Sequence, residues 1–514
     1  MRYFVSADIG TQGTKTAIVD ETGRIAGASF RPSRLIRGPG GSVEENPEEM
    51  FRSVTEGIRE ALDAASVEPG RVAAIGLAGQ MAGILGIDES WNAVTPYDSW
   101  LDTRCEKHMP EIKAWGEERF IRLTGSPVTY AHGPKKLWWK RERPDVYRRI
   151  AKFVVPSAYA AGRLAGLKAD EAFIDYTHLH FSGFADVSGM RWSQELLEAF
   201  GMDGDKLPAI VRPWDVVGSL SGQYALETGL PEGVPIVAGC GDSAAAALGG
   251  GLVRPGRLLD IAGTASILAG CVDRYSPDAE TKTLIFARSV LPGLWAPHAY
   301  ISGGGECLSW YRKLVSADGG EPLSYEKLSE LAEKIAPGSD GLLFVPHFGG
   351  RVCPNDTDLR GSWIGLNWSH GKAAMFRSIM ESIACEYRIY LDTLERLSGG
   401  IPYSGVHAVG GGAKGSLFAR IKADALGLPV TALKNADSAL QAVAAIAGFG
   451  IGHYADLAAT AESFIAYDRR YEPDLSLRGA YDRLTKKYRM AVEGMAALYG
   501  NLKKTTLDER KIAT

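Results

Sequence analysis

The chain has 514 residues, of which 45% are hydrophobic and 23% are charged, and its formal net charge at pH 7 is −4. This composition is typical of a globular protein, and the length is sufficient for two domains with separate cores. A negative net charge argues against a nucleic-acid partner, because such proteins normally carry a basic excess. The longest apolar stretch, 440–452, is too short to span a bilayer, so we expect a core helix there and no membrane partner.

The cysteines show neither metal-binding nor paired spacing, so we expect reduced and mostly buried thiols. The first residues lack the apolar run of a signal peptide. Both observations predict a cytoplasmic protein. The six cysteines are Cys105, Cys240, Cys271, Cys307, Cys353 and Cys385.

The chain begins with three predicted strands, a helix and a fourth strand. Asn46 is the expected cap of the helix, and Pro47 takes its first position. This strand-strand-strand-helix-strand order is typical of a ribonuclease-H-like nucleotide-binding domain. The strands are predicted at 3–9, 14–19, 24–30 and 71–79.

The sequence DIGTQGTK, residues 8–15, separates the first two strands. It has neither the spacing of a P-loop nor a following helix, so we interpret it as a hairpin whose tip offers backbone N–H groups, hydroxyls and one ammonium. A second Gly-Thr hairpin is predicted within 257–270, after a Pro- and Gly-rich stretch at 249–256 that is the best candidate for a domain boundary. Two such hairpins, one in each domain, could hold a polyphosphate from both sides.

A third glycine-rich turn follows in VHAVGGGAKGSLFARIKADALGLPV, residues 406–430, where three glycines lie between a strand and a helix. Glycines at such a turn allow the backbone to approach a ligand closely.

Eight motifs follow one another in the order found in the FGGY carbohydrate kinases, and the sequence resembles the xylulokinase-like members over roughly residues 1–490. The motifs are DIGTQGTK (8–15), AGQMAG (78–83), SWLDTRC (99–105), AGCGDSAAAALGGG (238–251), IAGTASIL (261–268), SGGGECLSWYRKL (302–314), GLLFVPHFGGRVCPNDTDLRGSWIGL (341–366) and AVGGGAKGSLFARIKAD (408–424).

The resemblance implies an α/β fold with two ribonuclease-H-like domains of the actin/Hsp70/sugar-kinase type around a central cleft. The expected divisions are a sugar-binding domain at 1–248, an ATP-binding domain at 249–495 and a charged tail at 496–514, in which residues 502–514 are expected to be frayed or disordered. The implied activity is transfer of a phosphoryl group from Mg-ATP to a sugar or polyol, and the resemblance is compatible with a homodimer.

The resemblance also implies the residues that act. Asp242 matches the general base, and Asp8, with Asp242, is expected to hold Mg²⁺ through water. The residues expected at the nucleotide are Thr11, Gln12, Thr14, Lys15, Gly263, Thr264, Gly305, Gly411 and Gly412. The residues expected at the sugar, which we call the acceptor strip, are Gln80, Met81, Ala82, Trp100, Asp102 and Arg104, beside Asp242.

The acceptor strip departs from the family at one position. Xylulokinases usually carry Met-His where this chain has Met81-Ala82, and glycerol kinases carry Arg-Glu. A missing imidazole weakens a bond to a sugar hydroxyl, whereas a small side chain leaves room for a longer acceptor. We therefore expect a ketopentose, a four- to six-carbon polyol or a sugar acid, with D-xylulose first.

Two alternatives stay open at this point. Gly239-x-Gly241-x-x-Ala244 after a strand, followed by Asp260, fits a dinucleotide-binding pattern and thus a dehydrogenase. That hypothesis leaves both Gly-Thr hairpins unexplained. A sugar-sensing or ATPase member of the same superfold is the second alternative, since it needs no sugar-dependent turnover.

Overall fold

The computed structural model describes residues 1–316, 323–434 and 437–512. The strands are β1 (Tyr3–Gly10), β2 (Gly13–Asp20), β3 (Ile25–Pro32), β4 (Ile36–Arg37), β5 (Val43–Glu45), β6 (Val72–Gly79), β7 (Leu85–Ile87), β8 (Tyr97–Asp98), β9 (Lys152–Val154), β10 (Phe173–Asp175), β11 (Ala185–Asp186), β12 (Arg191–Trp192), β13 (Ala209–Val211), β14 (Val216–Ser219), β15 (Pro235–Val237), β16 (Cys240–Gly241), β17 (Leu258–Ala262), β18 (Ser266–Gly270), β19 (Ile285–Arg288), β20 (Trp295–Ile301), β21 (Leu343–Val345), β22 (Ser362–Ile364), β23 (Val406–Val409), β24 (Val430–Leu433) and β25 (Tyr467–Tyr471).

The α-helices alternate with these strands. They are α1 (Pro47–Ala65), α2 (Met109–Thr124), α3 (His132–Glu142), α4 (Pro144–Tyr147), α5 (Pro156–Ala165), α6 (Leu179–Ser182), α7 (Gln194–Phe200), α8 (Gly222–Thr228), α9 (Asp242–Gly249), α10 (Gly304–Leu314), α11 (Tyr325–Glu333), α12 (Lys372–Leu397), α13 (Ser416–Leu426), α14 (Ser438–Gly450), α15 (Leu457–Ser463) and α16 (Arg478–Ile512).

Two sheets have the same strand pattern. The first is ordered β14-β15-β6-β1-β2-β3, and the second β19-β20-β18-β17-β23-β24-β25. In each, an antiparallel hairpin has a parallel strand on its other side, β6 beside β1 and β23 beside β17. The predicted fold class is therefore confirmed, because this is the repeated ribonuclease-H-like arrangement.

Helix α1 shows why the first domain forms. Asn46 Oδ1 accepts hydrogen bonds from the backbone N–H groups of Glu48 and Glu49, at 2.8 and 3.3 Å, as the sequence predicts. Apolar residues recur at helical spacing and are buried, among them Met50, Val54 and Ile58. This face packs on β2 and β3, so the sheet that carries the first hairpin has a rigid support.

The two halves of the chain are joined by a helix of the second half. Helix α14 contains most of the stretch predicted as a core helix, and it packs on β1, β6 and α9 rather than on the second sheet. Ser6 Oγ donates a hydrogen bond of 2.6 Å to the carbonyl of Leu440. The predicted division at residue 249 thus separates the two sheets but leaves α14 against the first.

The end of the chain differs from the sequence prediction. Residues 496–512 continue α16, including 502–512 where a frayed chain is expected, and 513–514 lie outside the described residues. Lys503 Nζ lies 2.9 Å from Asp358 Oδ1, and Tyr499 packs against the core of the second domain. These contacts tie the helix to the second domain as far as residue 503.

None of the helices among the described residues is both long and apolar enough to cross a membrane.

Candidate active site

The first hairpin places its polar side chains on two different faces. The β1–β2 register sets Asp8 opposite Lys15 and Ile9 opposite Thr14, with Thr11 and Gln12 forming the turn. Directly opposed residues share a face, and successive residues alternate. Asp8 and Lys15 therefore lie on one face, and Thr14 lies on the other.

Thr14 is a correction to the predicted nucleotide contacts. Its side chain is buried, and its Oγ1 lies 2.6 Å from Oγ of Ser53 in α1. Strand alternation turns this hydroxyl away from Asp8 and Lys15, so it supports the hairpin rather than a phosphate.

Asp242 is the first residue of α9, directly after β16, which pairs with β6. Its Oδ1 accepts hydrogen bonds from the backbone N–H of Ser243 at 2.6 Å and from its hydroxyl at 3.2 Å. Burial raises the pKa of Asp242, opposed by these two bonds and by His178. A carboxylate fixed at a helix start with a raised pKa is suited to accept a proton.

Asp8 lies close enough to Asp242 for the two charges to interact. Burial, and next the charge of Asp242, raise the pKa of Asp8 to about 7, while Lys15 opposes the rise. One of the Asp8 carboxylate oxygens, Oδ1, is buried without a hydrogen-bond partner. Two carboxylates and an unpaired buried oxygen fit a divalent cation, which prefers oxygen ligands.

A short segment that the sequence analysis missed supports Asp242. Thr177 Oγ1 accepts a 3.0 Å hydrogen bond from the N–H of Gly241, and Thr177 in turn donates to Asp175. His178 Nδ1 lies 2.6 Å from the other carboxylate oxygen of Asp175. The residues DYTH at 175–178 carry an acid beside a histidine, but nothing in the sequence places them next to Asp242.

Gln80, at the end of β6, belongs to a chain of side-chain hydrogen bonds. Gln80 Nε2 donates to Glu45 Oε1 at 2.7 Å, and Thr11 Oγ1 donates to Gln80 Oε1 at 3.3 Å. Trp100 Nε1 donates to Thr11 Oγ1 at 2.8 Å. Thr11, which is predicted at the nucleotide, therefore bonds two residues of the acceptor strip, and Glu45 is a further partner of the strip that the sequence analysis missed. Burial raises the pKa of Glu45 to about 7.

Met81 and Ala82 connect the strip to the turn that carries Asp242. A Cβ on Gly241 would lie 2.5 Å from Met81 Sδ, so the glycine allows this close approach. Ala82 has a φ of 63°, a left-handed conformation that few residues other than glycine adopt. The strip thus bends sharply beside Asp242.

Asp102 and Arg104, which are predicted at the sugar, form an internal ion network. The Arg104 guanidinium lies 2.7 to 2.8 Å from carboxylate oxygens of Glu44, Asp98 and Asp102, and it stacks 4.4 Å above the Trp138 ring. Only 15% of the Arg104 side chain and 2% of the Asp102 side chain are exposed. The guanidinium offsets part of the charge of these carboxylates, and the network positions the loop that carries Trp100.

The glycines predicted at the nucleotide meet in one cavity. A cavity of about 830 Å³, which we call the glycine-lined cavity, contains residues from both domains in its lining. Its lining includes the apolar side chains of Leu308, Phe376, Met380 and Phe418, and this size and mixed lining suit a nucleotide. The predicted nucleotide residues in the lining are Gln12, Gly263, Thr264, Gly305, Gly411 and Gly412.

The second hairpin and α10 fit together only because Gly305 has no side chain. A Cβ at Gly305 would lie 1.8 Å from the carbonyl oxygen of Gly263. The start of α10 therefore reaches the hairpin turn, where the N–H groups of Gly305 and Glu306 each donate a 3.1 Å hydrogen bond to the carbonyl of Thr264 and fix the turn against the helix.

Lys15 projects toward the second half of the chain. Its Nζ lies 2.8 Å from Asp437 Oδ1, at the start of α14. The ammonium is half exposed and can exchange this partner for a phosphate.

The dehydrogenase alternative is not supported by Asp260. This residue is buried, with Lys422 at one carboxylate oxygen and the Tyr387 hydroxyl at the other, the latter at 2.7 Å. It therefore holds the core of the second domain together and cannot bind a ribose.

Comparisons with known proteins agree with this geometry. The profile of the FGGY family of carbohydrate kinases matches twice, with its N-terminal domain over residues 3–249 and its C-terminal domain over residues 261–450. A xylulose kinase of Bacillus subtilis (strain 168) is 26% identical over 491 residues, 95% of this chain and 96% of that protein. A gluconokinase of the same strain is 28% identical over 434 residues, 82% of this chain and 82% of that protein. The crystal structure of xylulose kinase from Rhodospirillum rubrum matches with a TM-score of 0.88 at 25% identity, covering 97% of this chain and 100% of that one.

Proposed function

The chain belongs to the FGGY family of carbohydrate kinases, and we propose that it transfers the γ-phosphoryl group of Mg-ATP to a hydroxyl of a ketopentose or a related sugar or polyol. The observation that carries the proposal is the position of Asp242. The residue before it, Gly241, lies against Met81 of the acceptor strip, and its own carboxylate is near Asp8 of the first hairpin, whose turn residue Gln12 lines the glycine-lined cavity.

The proposed step needs one base and one incoming oxygen. The Asp242 carboxylate accepts the proton of the acceptor hydroxyl, the oxygen forms a bond to the γ-phosphorus, and the bond to the ADP oxygen breaks. Lys15 and the N–H groups of the two hairpins are placed to offset the negative charge of the transferred group.

Asp8 and Asp242 would hold Mg²⁺, largely through water. The ion supplies charge neutralisation at the phosphates when it is bound. The unpaired Asp8 Oδ1 and the raised pKa of Asp8 are the observations that fit it.

We also propose that the enzyme works in the cytoplasm. All six cysteines are free and buried, which agrees with a reducing compartment.

The acceptor is tested by mixing the protein with Mg-ATP and a panel of acceptors and following ADP release. The panel contains D-xylulose, other ketopentoses, four- to six-carbon polyols, gluconate and glycerol. We expect a ketopentose, a longer polyol or a sugar acid to give the highest kcat/KM, with D-xylulose first. Glycerol as the best acceptor would contradict the proposed acceptor class, and ADP release independent of every acceptor would favour an ATPase.

A further inference from the structure

The two residues at the tip of the first hairpin face different sites. The Thr11 hydroxyl bonds Gln80 and Trp100 of the acceptor strip, whereas Gln12 lines the glycine-lined cavity. Thr11, which faces the acceptor strip, and Gln12, which faces the glycine-lined cavity, are therefore joined by a single peptide bond.

The tip is short and tightly held, so its two residues move together. Gly10 pairs with Gly13 directly across a two-residue turn. Ser33 fastens both turn residues, because its Oγ donates to the carbonyl of Thr11 at 2.5 Å and its N–H donates to the carbonyl of Gln12 at 3.1 Å. A displacement of Thr11 is thus passed to Gln12.

The hydrogen bonds of Thr11 have a defined direction. Glu45, which is 4% exposed, accepts from the Gln80 amide nitrogen, so the Gln80 carbonyl oxygen is left to accept from Thr11. Thr11 Oγ1 then accepts from Trp100, whose side chain is 37% exposed at the other end of the chain of bonds. An acceptor that packs on Trp100 therefore stabilises the position of Thr11.

We propose that Thr11 is a positioning residue that couples acceptor binding to nucleotide binding. This inference rests on the proposed kinase function, since it needs both ligands. By thermodynamic linkage, an acceptor that fixes the hairpin tip raises the affinity for the nucleotide, and the nucleotide raises the affinity for the acceptor by the same factor.

The test measures the dissociation constant of a non-hydrolysable ATP analogue with Mg²⁺ by calorimetry, with and without the acceptor that gives the highest kcat/KM in the panel. In the wild type we expect the acceptor to tighten nucleotide binding by about tenfold. Thr11→Val keeps the shape of the side chain but removes the hydroxyl, and the factor should fall below about threefold. Thr11→Ser restores the hydroxyl and should restore the factor.

Thr14→Val is the matched control, because it removes a hydroxyl from the same hairpin that bonds Ser53 on the opposite face. Its coupling factor should equal that of the wild type. If Thr11→Val does not fold, Trp100→Phe is the substitute. It keeps an aromatic ring but removes the indole N–H that donates to the Thr11 hydroxyl, so it should lower the coupling factor in the same way.

The coupling would be overturned if the acceptor left the nucleotide dissociation constant of the wild type unchanged. It would also be overturned if Thr11→Val, or its substitute, showed the same coupling factor as the wild type. Either result would leave the kinase activity in place. Absence of acceptor-dependent ADP release in the wild type would instead overturn the proposed function and the coupling with it.

Discussion

The ammonium of Lys15 in the first hairpin lies 2.8 Å from the carboxylate of Asp437 at the start of α14. This ion pair joins a strand of the amino-terminal half to a helix of the carboxy-terminal half. The side chains are 50% and 39% exposed, so the pair contributes on the order of 0–1 kcal/mol. A weak partner is suitable for a lysine that must move to a phosphate.

Lys15→Met is expected to lower kcat/KM for ATP by about 10- to 100-fold, because a charge-assisted contact to the transferred group is lost. Steady-state kinetics at saturating acceptor measures this. Asp437→Asn is the control for the ion pair alone and should change the free energy of unfolding by less than about 1 kcal/mol. Unchanged ATP kinetics in Lys15→Met would exclude a phosphate contact.

Arg104→Met is expected to destabilise the protein by about 3–5 kcal/mol, because it leaves buried carboxylates without their cation. Denaturant unfolding measures this loss. Lys107→Met is a matched control on the same segment, since its ion pair with Glu142 is exposed and should contribute less than about 1 kcal/mol. A raised acceptor KM without loss of stability in Arg104→Met would indicate a direct sugar contact rather than a structural role.

Lys136 gives a pH-dependent prediction. Burial lowers the pKa of Lys136 to about 7, and the hydrogen bond that its ammonium donates to the carbonyl of Ser182 is long at 3.4 Å. Between pH 7 and about 10.4 the unfolded chain binds a proton that the folded chain does not, so this group makes stability rise with pH. Lys136→Met should therefore stabilise the protein by about 1–3 kcal/mol at pH 7 and by less at pH 10.

Thermal unfolding of Lys136→Met at the two pH values tests this sign. Lys135→Met is the neighbouring control, because the Lys135 ammonium donates to the carbonyls of Asp102 and Tyr130 and its loss should destabilise the protein. A stability gain from Lys136→Met that grows with pH would contradict the assignment.

Ala82→His tests the acceptor strip. Histidine tolerates the left-handed backbone at this position better than most residues, and its imidazole would fill the space left by the small side chain. We expect the preference for a ketopentose over a longer acceptor to rise by about 5- to 100-fold in kcat/KM. Ala82→Asn, which also tolerates this backbone, controls for strain. An unchanged ranking of acceptors would place residue 82 outside the acceptor site.

The sequence predicted the fold class and the strands of the first hairpin because both follow from local apolar patterns and turn residues. It did not predict which face Thr14 occupies, since that depends on the length of the turn and hence on the pairing register. A two-residue turn set Asp8, not Ile9, opposite Lys15.

The ion network around Arg104 could not be predicted either. Its partner Glu44 lies 60 positions before Arg104 in the chain, and its partner Asp98 lies six positions before it. Both acids belong to strands that meet only in the folded sheet. Asp242 was predicted from the family pattern, whereas its support by Thr177 depends on a contact across 64 residues.

The most direct test of the account compares acceptor-dependent ADP release by the wild type and by Asp242→Asn with the best acceptor of the panel. The variant keeps the size of the side chain but removes the base, so kcat should fall by about 10²- to 10⁴-fold while binding of the ATP analogue is retained. Near-wild-type turnover in Asp242→Asn would contradict the assignment of Asp242 as the general base.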